Sequence, residues 1–174
     1  SAELLVSRAV IIKSATTGAA VLDGGGSVRV FNVNPASATE YVHSQQNAKS
    51  PVRCRLASDP CFVSLSRSSV ELIGLKIANG VCGGGCGVLA EQGTVAITNC
   101  EIYGHTTTGY GAGLQVGGSS VKVVATSTVF RDNTGGSYGG SVYQEGDTSL
   151  EMIDCSFSSS SATGRAGGWY VHAC

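Results

Sequence analysis

The sequence predicts an all-β fold, a parallel β-helix (solenoid) of about six coils with three short strands each. The first observation is a repeat of roughly 27 residues, present four times between Val70 and Cys174. The second is that each copy alternates apolar and polar residues, skips one position and alternates again, which indicates a strand, a bend and a second strand. The third is a cluster of small residues before an apolar stretch in every copy, which predicts a third strand.

Four apolar columns run through the copies at offsets of 25, 28 and 27 residues. One copy cannot bury its inward residues alone, whereas copies stacked about 4.8 Å apart turn each column into a continuous ladder. No long window keeps helical periodicity, so helix is expected to be almost absent. The columns are Val70/Val95/Val123/Leu150, Leu72/Ile97/Ala125/Met152, Leu75/Cys100/Thr128/Cys155 and Ile77/Ile102/Phe130/Phe157. The small-residue clusters begin at Gly85, Gly111, Gly139 and Gly167.

The segment before these copies, residues 1–33, is interpreted as an earlier and degenerate coil. Its candidate strands are residues 9–12, 19–22 and 28–33, with a glycine-rich turn at 23–26. Residues 34–60 then contain all three prolines and no periodicity, so we predict an irregular excursion from the solenoid wall. Long loops of this kind are more often functional than idle. The whole chain, 1–174, is expected to form a single domain, with its clearest repeats at 70–174.

Composition narrows the classes of function. The content is 42% hydrophobic and 13% charged with a net charge of −1, which is typical of a folded domain rather than a disordered chain. Lysine and arginine are scattered singly, so neither a nucleic-acid partner nor a polybasic membrane patch is expected. No apolar run approaches the roughly 20 residues of a membrane span, so no span of its own is predicted.

The seven cysteines suggest short disulfides. One candidate pair, Cys54 and Cys61, brackets the foot of the excursion, and a second pair, Cys82 and Cys86, brackets a Gly-Gly-Gly turn. For the second pair, free thiols and a zinc site are the alternatives, although a zinc site would lack a second ligand pair. Disulfides would favour an extracytoplasmic setting: secreted, cell-surface or in an organelle lumen.

Two further cysteines, Cys100 and Cys155, share one apolar column but lie two coils apart. Their separation is expected to be about 9 to 10 Å, which exceeds the reach of a disulfide. We therefore interpret both as small buried core residues. Cys174 has no assignable partner.

The third copy carries a resemblance to a known family. Phe130-Arg-Asp-Asn133 followed by Gly139-Gly-Ser-Val142 resembles the FxxN and GGAI signatures of the polymorphic outer membrane protein repeat, which belongs to the pectin-lyase-like superfamily. In the other copies the asparagine is replaced by Gly80, His105 and Ser160. The resemblance implies a right-handed parallel β-helix, in agreement with the general crossover rule, and an adhesin-like role.

The same superfamily includes pectate lyases and polygalacturonases, so a polysaccharide-active enzyme is the alternative function. Such enzymes need carboxylates that converge on one face, to hold calcium or to act as an acid and base pair. Here the outward columns of Glu151 and Asp154 stack no neighbouring acids, and Lys76 with Glu101 is read as a solvated ion pair. Arg131-Asp132 is the best remaining candidate for chemistry. No catalytic residue, metal or cofactor is predicted.

We therefore expect a noncatalytic β-helix module with a binding or structural role, either an accessory subunit of a larger assembly or an adhesin-like surface module. The expected partners are other protein subunits, and a carbohydrate surface is the second candidate. Aromatic residues are enriched at interfaces, although each could instead pack locally under a loop. The candidate contact residues are Tyr103, Tyr110, Tyr138, Trp169 and Tyr170.

Overall fold

The computed structural model describes residues 4–5, 10–33, 69–118 and 120–172. These residues form short β-strands and no helix, and every strand pairing is parallel, which confirms the predicted solenoid. The N-terminal strands are β1 (Leu4–Leu5), β2 (Val10–Lys13), β3 (Ala20–Asp23) and β4 (Phe31–Val33). The next are β5 (Ser69–Ile73), β6 (Leu75–Ala78), β7 (Val81–Cys82), β8 (Val88–Ala90), β9 (Gly93–Thr98), β10 (Glu101–Tyr103), β11 (Thr106–Thr107) and β12 (Leu114–Val116). The last are β13 (Val121–Thr126), β14 (Val129–Arg131), β15 (Thr134–Gly135), β16 (Val142–Glu145), β17 (Ser149–Ile153), β18 (Ser156–Ser158), β19 (Ser161–Ala162) and β20 (Trp169–His172).

The strands of the described residues form four sheets along the solenoid, and each complete coil contributes one strand to each sheet. We number the sheets in the order in which a coil visits them. Sheet 1 is β2-β5-β9-β13-β17, sheet 2 is β3-β6-β10-β14-β18, sheet 3 is β7-β11-β15-β19 and sheet 4 is β1-β4-β8-β12-β16-β20. The prediction of three strands per coil is therefore wrong by one strand. The extra strand, in sheet 3, has only two residues, which is too short to show an alternation in the sequence.

The number of coils also differs slightly from the predicted six. The described residues contain four complete coils, β5–β8, β9–β12, β13–β16 and β17–β20, preceded by the three-stranded coil β2–β4 and the single strand β1. The early coil expected within residues 1–33 is confirmed, because β2, β3 and β4 pair with β5, β6 and β8. The excursion at 34–60, the pair Cys54 and Cys61, and Cys174 lie outside the described residues.

The predicted apolar columns are in register. Val70 pairs with Val95 in the next coil, Val95 with Val123, and Val123 with Leu150. The columns that start at Leu72 and Ile77 continue in the same way through sheets 1 and 2. Within the complete coils before the last, the members of all four columns are at most 3% exposed, so they form the core of the solenoid.

The skipped position in each copy is a single residue in the left-handed region of backbone conformation. It joins sheet 1 to sheet 2 and has φ between 49° and 66°. Short polar residues and glycine tolerate this conformation better than other residues, which explains why they occupy this position in every coil. The four residues are Gly74, Asn99, Ser127 and Asp154.

A second left-handed position precedes sheet 4 and corrects one detail of the sequence alignment. Val142 pairs with Trp169 rather than with Tyr170, so the last small-residue cluster begins at Ala166 instead of Gly167. Ala166 has φ of 52°, close to the 62° of Gly139 in the preceding coil. The alanine concealed this correspondence, because glycine is the usual residue at such a position.

The cysteines of the described coils divide as the sequence suggested. Cys82 and Cys86 form a disulfide, with their Cα atoms 5.3 Å apart, which excludes the free-thiol and zinc alternatives for this pair. Cys100 and Cys155 are free thiols. Burial raises the pKa of the Cys100 thiol. Cys155 lies in the last described coil and packs against the core, but it is only half-buried, so its interpretation as a buried core residue is met only in part.

Candidate functional site

Two neighbouring outward columns bring four tyrosines together on one side of the solenoid. Tyr110 and Tyr138 lie in the loops between sheets 3 and 4 and form a parallel bridge with each other. Tyr143 and Tyr170 lie one position after the inward residues of β16 and β20 and pair directly. We call Tyr110, Tyr138, Tyr143 and Tyr170 the tyrosine flank.

The rings of the tyrosine flank are stacked on one another. The ring centroids of Tyr110 and Tyr143 are 4.8 Å apart, as are those of Tyr138 and Tyr170, and the centroids of Tyr110 and Tyr138 are 5.6 Å apart. All interplanar angles within the flank are 20° or less. Each loop tyrosine therefore lies against the strand tyrosine of the following coil, at the separation that offset-stacked aromatic rings prefer.

A glycine makes room for this stack. Gly111, at a left-handed position with φ of 54°, follows Tyr110, and a Cβ placed on it would lie 2.9 Å from the Cβ of Tyr143. In the column of Tyr110 and Tyr138, the residue one coil before Tyr110 is Gly84. In the column of Tyr143 and Tyr170, the residue one coil before Tyr143 is Gln115. The aromatic stack therefore begins at Tyr110 and continues towards the C-terminal coil.

The four side chains differ in exposure. Tyr143 is 5% exposed, and its hydroxyl group lies 3.2 Å from Nδ1 of His172. Tyr110 is 39% exposed, while Tyr138 and Tyr170 are half-buried. Both Tyr138 and Tyr143 contact Tyr110 on one side and Tyr170 on the other. The two central rings therefore have both faces covered, which leaves the ring edge as the accessible part of Tyr138.

The five aromatic residues named from the sequence do not form a single surface. Tyr110, Tyr138 and Tyr170 come together, but Tyr103 lies on β10 in sheet 2, with the guanidinium carbon of Arg131 4.1 Å from its ring centroid. Trp169 continues the inward column of Val142 and is 38% exposed because it lies in the last described coil.

The sequence analysis did not name Tyr143. The available signal was its place directly after Val142, because alternation along a strand turns the residue after an inward one outward.

A charged cluster lies on the outward face of sheet 2. Glu101 contacts Lys76 of the preceding coil at 3.4 Å and Arg131 of the following coil at 2.6 Å, and Arg131 also contacts Asp132. The predicted Lys76–Glu101 pair is therefore present. The two carboxylates raise the pKa of Arg131. Because both carboxylates are bound to the same guanidinium group, neither is available as an isolated acid or base in this arrangement.

An open groove of about 520 Å³ lies beside this cluster, at the bend between sheets 1 and 2, with Lys76 and Glu101 in its wall. Within the residues that the structure describes, no three histidine, cysteine, aspartate or glutamate side chains lie close enough to hold a metal ion. The same residues contain no helix that is long and apolar enough to cross a membrane. Comparison with known proteins gives no match among protein-family models, curated proteins or solved structures.

Proposed function

We propose that this chain is a noncatalytic β-helix module that binds other proteins, as an accessory subunit of a larger assembly or as an adhesin-like surface module. The observation that carries the proposal is the tyrosine flank, a set of stacked and partly exposed aromatic side chains on one side of the solenoid. The parallel fold supports membership of the pectin-lyase-like superfamily and right-handed coiling. The FxxN and GGAI resemblance of the third copy supports the adhesin-like role.

The composition and rigidity of the flank suit a contact surface. Tyrosine and arginine are enriched among the residues that contribute most to binding, and Arg165 continues the column of Tyr110 and Tyr138. The rings already hold one another in place, so binding a partner would cost little additional side-chain entropy. An exposed edge with a hydroxyl group can both bury apolar area and form hydrogen bonds.

The stacking favours a protein partner over a carbohydrate. A sugar ring that packs on an aromatic side chain needs an uncovered ring face, and the central rings Tyr138 and Tyr143 have none. A protein surface can use the edges and hydroxyl groups that remain. A carbohydrate surface is therefore the second candidate partner.

The disulfide supports a proposal for the compartment. The Cys82–Cys86 bond lies between β7 and β8, and such bonds persist in oxidising surroundings. We propose an extracytoplasmic or lumenal setting.

The alternative function is a polysaccharide-active enzyme of the lyase or hydrolase type. Such chemistry would be sought in the groove at the bend between sheets 1 and 2. Glu101 lies in the wall of this groove, and Asp132 forms an ion pair with Arg131, which also contacts Glu101. The shared pairing of both carboxylates with Arg131 argues against an acid and base couple there, because a catalytic pair needs two carboxyl groups with different environments.

Hydroxyl-radical footprinting tests the proposed contact surface. The 174-residue chain is oxidised alone and within the assembly recovered from its native source, and modification of each tyrosine is measured by mass spectrometry. We expect oxidation of Tyr110, Tyr138 and Tyr170 to fall several-fold in the assembly. Tyr103, which lies on sheet 2, is the internal control and should be unchanged. Unchanged oxidation of the flank, with protection elsewhere, would overturn the assignment of the surface.

A separate assay tests the noncatalytic character. The chain is incubated with uronate polymers, with and without calcium, and the release of unsaturated or reducing ends is followed. We expect no turnover above the buffer control. Turnover that is lost in Glu101→Gln would replace the proposal with the enzyme alternative.

A further inference from the structure

A column with three polar residues and one glycine lies at the corner where each coil leaves sheet 2. Its members are separated by the same offsets as the apolar columns, and each follows a residue in the left-handed conformation. His105 and Asn133 are both 0% exposed. We call Gly80, His105, Asn133 and Ser160 the corner column.

Each polar member of the corner column binds the backbone of the coil before it. The side chain of Asn133 accepts a hydrogen bond from the His105 N–H at 3.1 Å and donates one to the Ile102 carbonyl at 3.0 Å. Ser160 Oγ accepts from the Asn133 N–H at 3.2 Å. Unpaired backbone groups are costly in a buried corner, so these side chains supply the hydrogen bonds that a tight bend cannot make for itself.

His105 makes the same two contacts with an imidazole ring. Nδ1 accepts a hydrogen bond from the Gly80 N–H at 2.9 Å, and Nε2 lies 3.0 Å from the Ile77 carbonyl oxygen. Because Nδ1 is an acceptor, the single ring proton must be on Nε2, where it is donated to the carbonyl. The corner is therefore complete only when the ring is neutral.

The ring also lies against the next part of the wall. Residues 80–87 run from the end of sheet 2 through β7 of sheet 3 to the start of β8, and Cys82 and Cys86 within them form the disulfide. A Cβ placed on Gly80 would lie 2.8 Å from Nδ1, and one placed on Gly87 would lie 2.9 Å from Nε2, so both ends of this segment touch the ring. We call residues 80–87 the disulfide turn.

We propose that His105 is an acid-sensitive latch, whose protonation opens the corner between sheets 2 and 3 at Gly80. A proton on Nδ1 would set two donors, the ring N–H and the Gly80 N–H, against each other across 2.9 Å. The ring is fully buried, so it cannot reach water unless the corner opens. Gly85 and Gly87 donate backbone hydrogen bonds to the following coil, so the opening is confined to the Gly80 end of the disulfide turn.

The surroundings of the ring offer little compensation for a positive charge. Desolvation lowers the pKa of His105 to about 4, against smaller opposing effects from the Ile77 carbonyl on β6 and from the Asp23 carboxylate on β3. The following coil contributes the neutral amide of Asn133 through the backbone of His105. The disulfide turn contributes backbone atoms of Gly80 and Gly87. Asp23 is thus the charged group that acts on the ring. The inference stands independently of the proposed function.

Amide hydrogen exchange of the Gly80 N–H tests the latch in the intact chain. Exchange is followed by NMR from pH 7.5 to 4.5, corrected for the intrinsic exchange rate at each pH, and converted to an opening equilibrium constant. We expect this constant to rise by up to about tenfold for each unit that the pH falls below 6.5, because His105 binds a proton in the open state and is neutral in the closed state. The His105 N–H, held by Asn133, is the control amide and should keep its protection better over this range.

The matched variant is His105→Asn, because Asn133 shows that asparagine makes both backbone contacts at this position. The variant cannot titrate, so its Gly80 opening constant should not change with pH. The same pH dependence in His105→Asn as in the wild-type protein would overturn the proposal. If this variant does not fold, NMR titration of the His105 ring in the wild-type protein provides the test. Titration of the ring near pH 6.5, while the Gly80 amide remains protected from exchange, would also overturn the proposal.

Discussion

The corner column and the tyrosine flank both repeat one position from coil to coil, yet their side chains make opposite kinds of contact. In the corner column the side chains are buried and bind the backbone of the neighbouring coil. In the tyrosine flank the side chains contact one another and remain partly exposed. A side chain that satisfies buried backbone groups is constrained by the fold, whereas a side chain that packs only on its neighbours leaves surface for a partner. Repetition alone therefore does not separate a structural column from a contact surface.

The largest effect is expected for Asn133→Leu, a change of similar volume in the corner column. It leaves the His105 N–H buried without its partner, at about 1 to 3 kcal/mol, and removes one hydrogen bond to the Ile102 carbonyl, at about 1 kcal/mol, so the free energy of unfolding should fall by about 2 to 4 kcal/mol. Urea unfolding followed by circular dichroism measures it. Ser160→Ala, in the half-buried last member, should cost only about 1 kcal/mol. Equal losses in the two variants would contradict the role given to burial.

The pH dependence of stability is the next largest effect. The fold holds His105 neutral, with a pKa of about 4 compared with 6.5 for an ordinary histidine, so the unfolded chain binds a proton first as the pH falls. This contribution to stability is complete above pH 6.5 and is lost progressively between pH 6.5 and 4, by up to about 3 kcal/mol. Urea unfolding at several pH values gives the free energy of unfolding as a function of pH, and this free energy should depend less on pH in His105→Asn than in the wild-type protein. The same pH dependence in both proteins would assign the acid sensitivity to other groups.

Tyr138→Ala should weaken the fold less than the loss of Asn133. It removes a half-buried ring with both faces covered but leaves no buried hydrogen-bonding group unpaired, so we expect a loss of about 1 to 2 kcal/mol. Tyr138→Phe keeps the stack and should change stability by less than about 0.5 kcal/mol. A loss in Tyr138→Ala as large as that in Asn133→Leu would make the flank primarily structural and would weaken its assignment as a contact surface.

The sequence predicted the parts of this fold that repeat with a regular period. The column from Val70 to Leu150 is readable because each member is apolar and each offset is nearly constant. The bends at Asn99 and Asp154 are readable because a left-handed residue interrupts the alternation. Both signals arise from a physical requirement that every coil must meet.

The remaining features depend on contacts between coils that one copy does not reveal. His105 and Asn133 were recognised as occupants of one position, but their residue types differ, and only the structure shows that they bind equivalent backbone groups. Ala166 lies where the preceding coils have glycine, so the register of Trp169 was assigned wrongly from the sequence. Tyr143 was missed because only the inward residues of its strand were used to define the repeat. The disulfide could be proposed from spacing, whereas the approach of Gly80 and Gly87, on either side of it, to the His105 ring could not.

The smallest effect is expected for Glu101→Ala, on the outward face of sheet 2. Glu101 contacts Lys76 and Arg131, but its side chain is 24% exposed, and those of Lys76 and Arg131 are 39% and 35% exposed. Such pairs contribute about 0 to 1 kcal/mol, and Arg131 keeps its contacts with Asp132 and Tyr103 when Glu101 is removed. Thermal unfolding should therefore change little, and the difference from the wild-type protein should shrink in 1 M salt, where the screening length is about 3 Å. A loss of more than about 2 kcal/mol that persists in high salt would show that this outward cluster, like the corner column, holds the coils together.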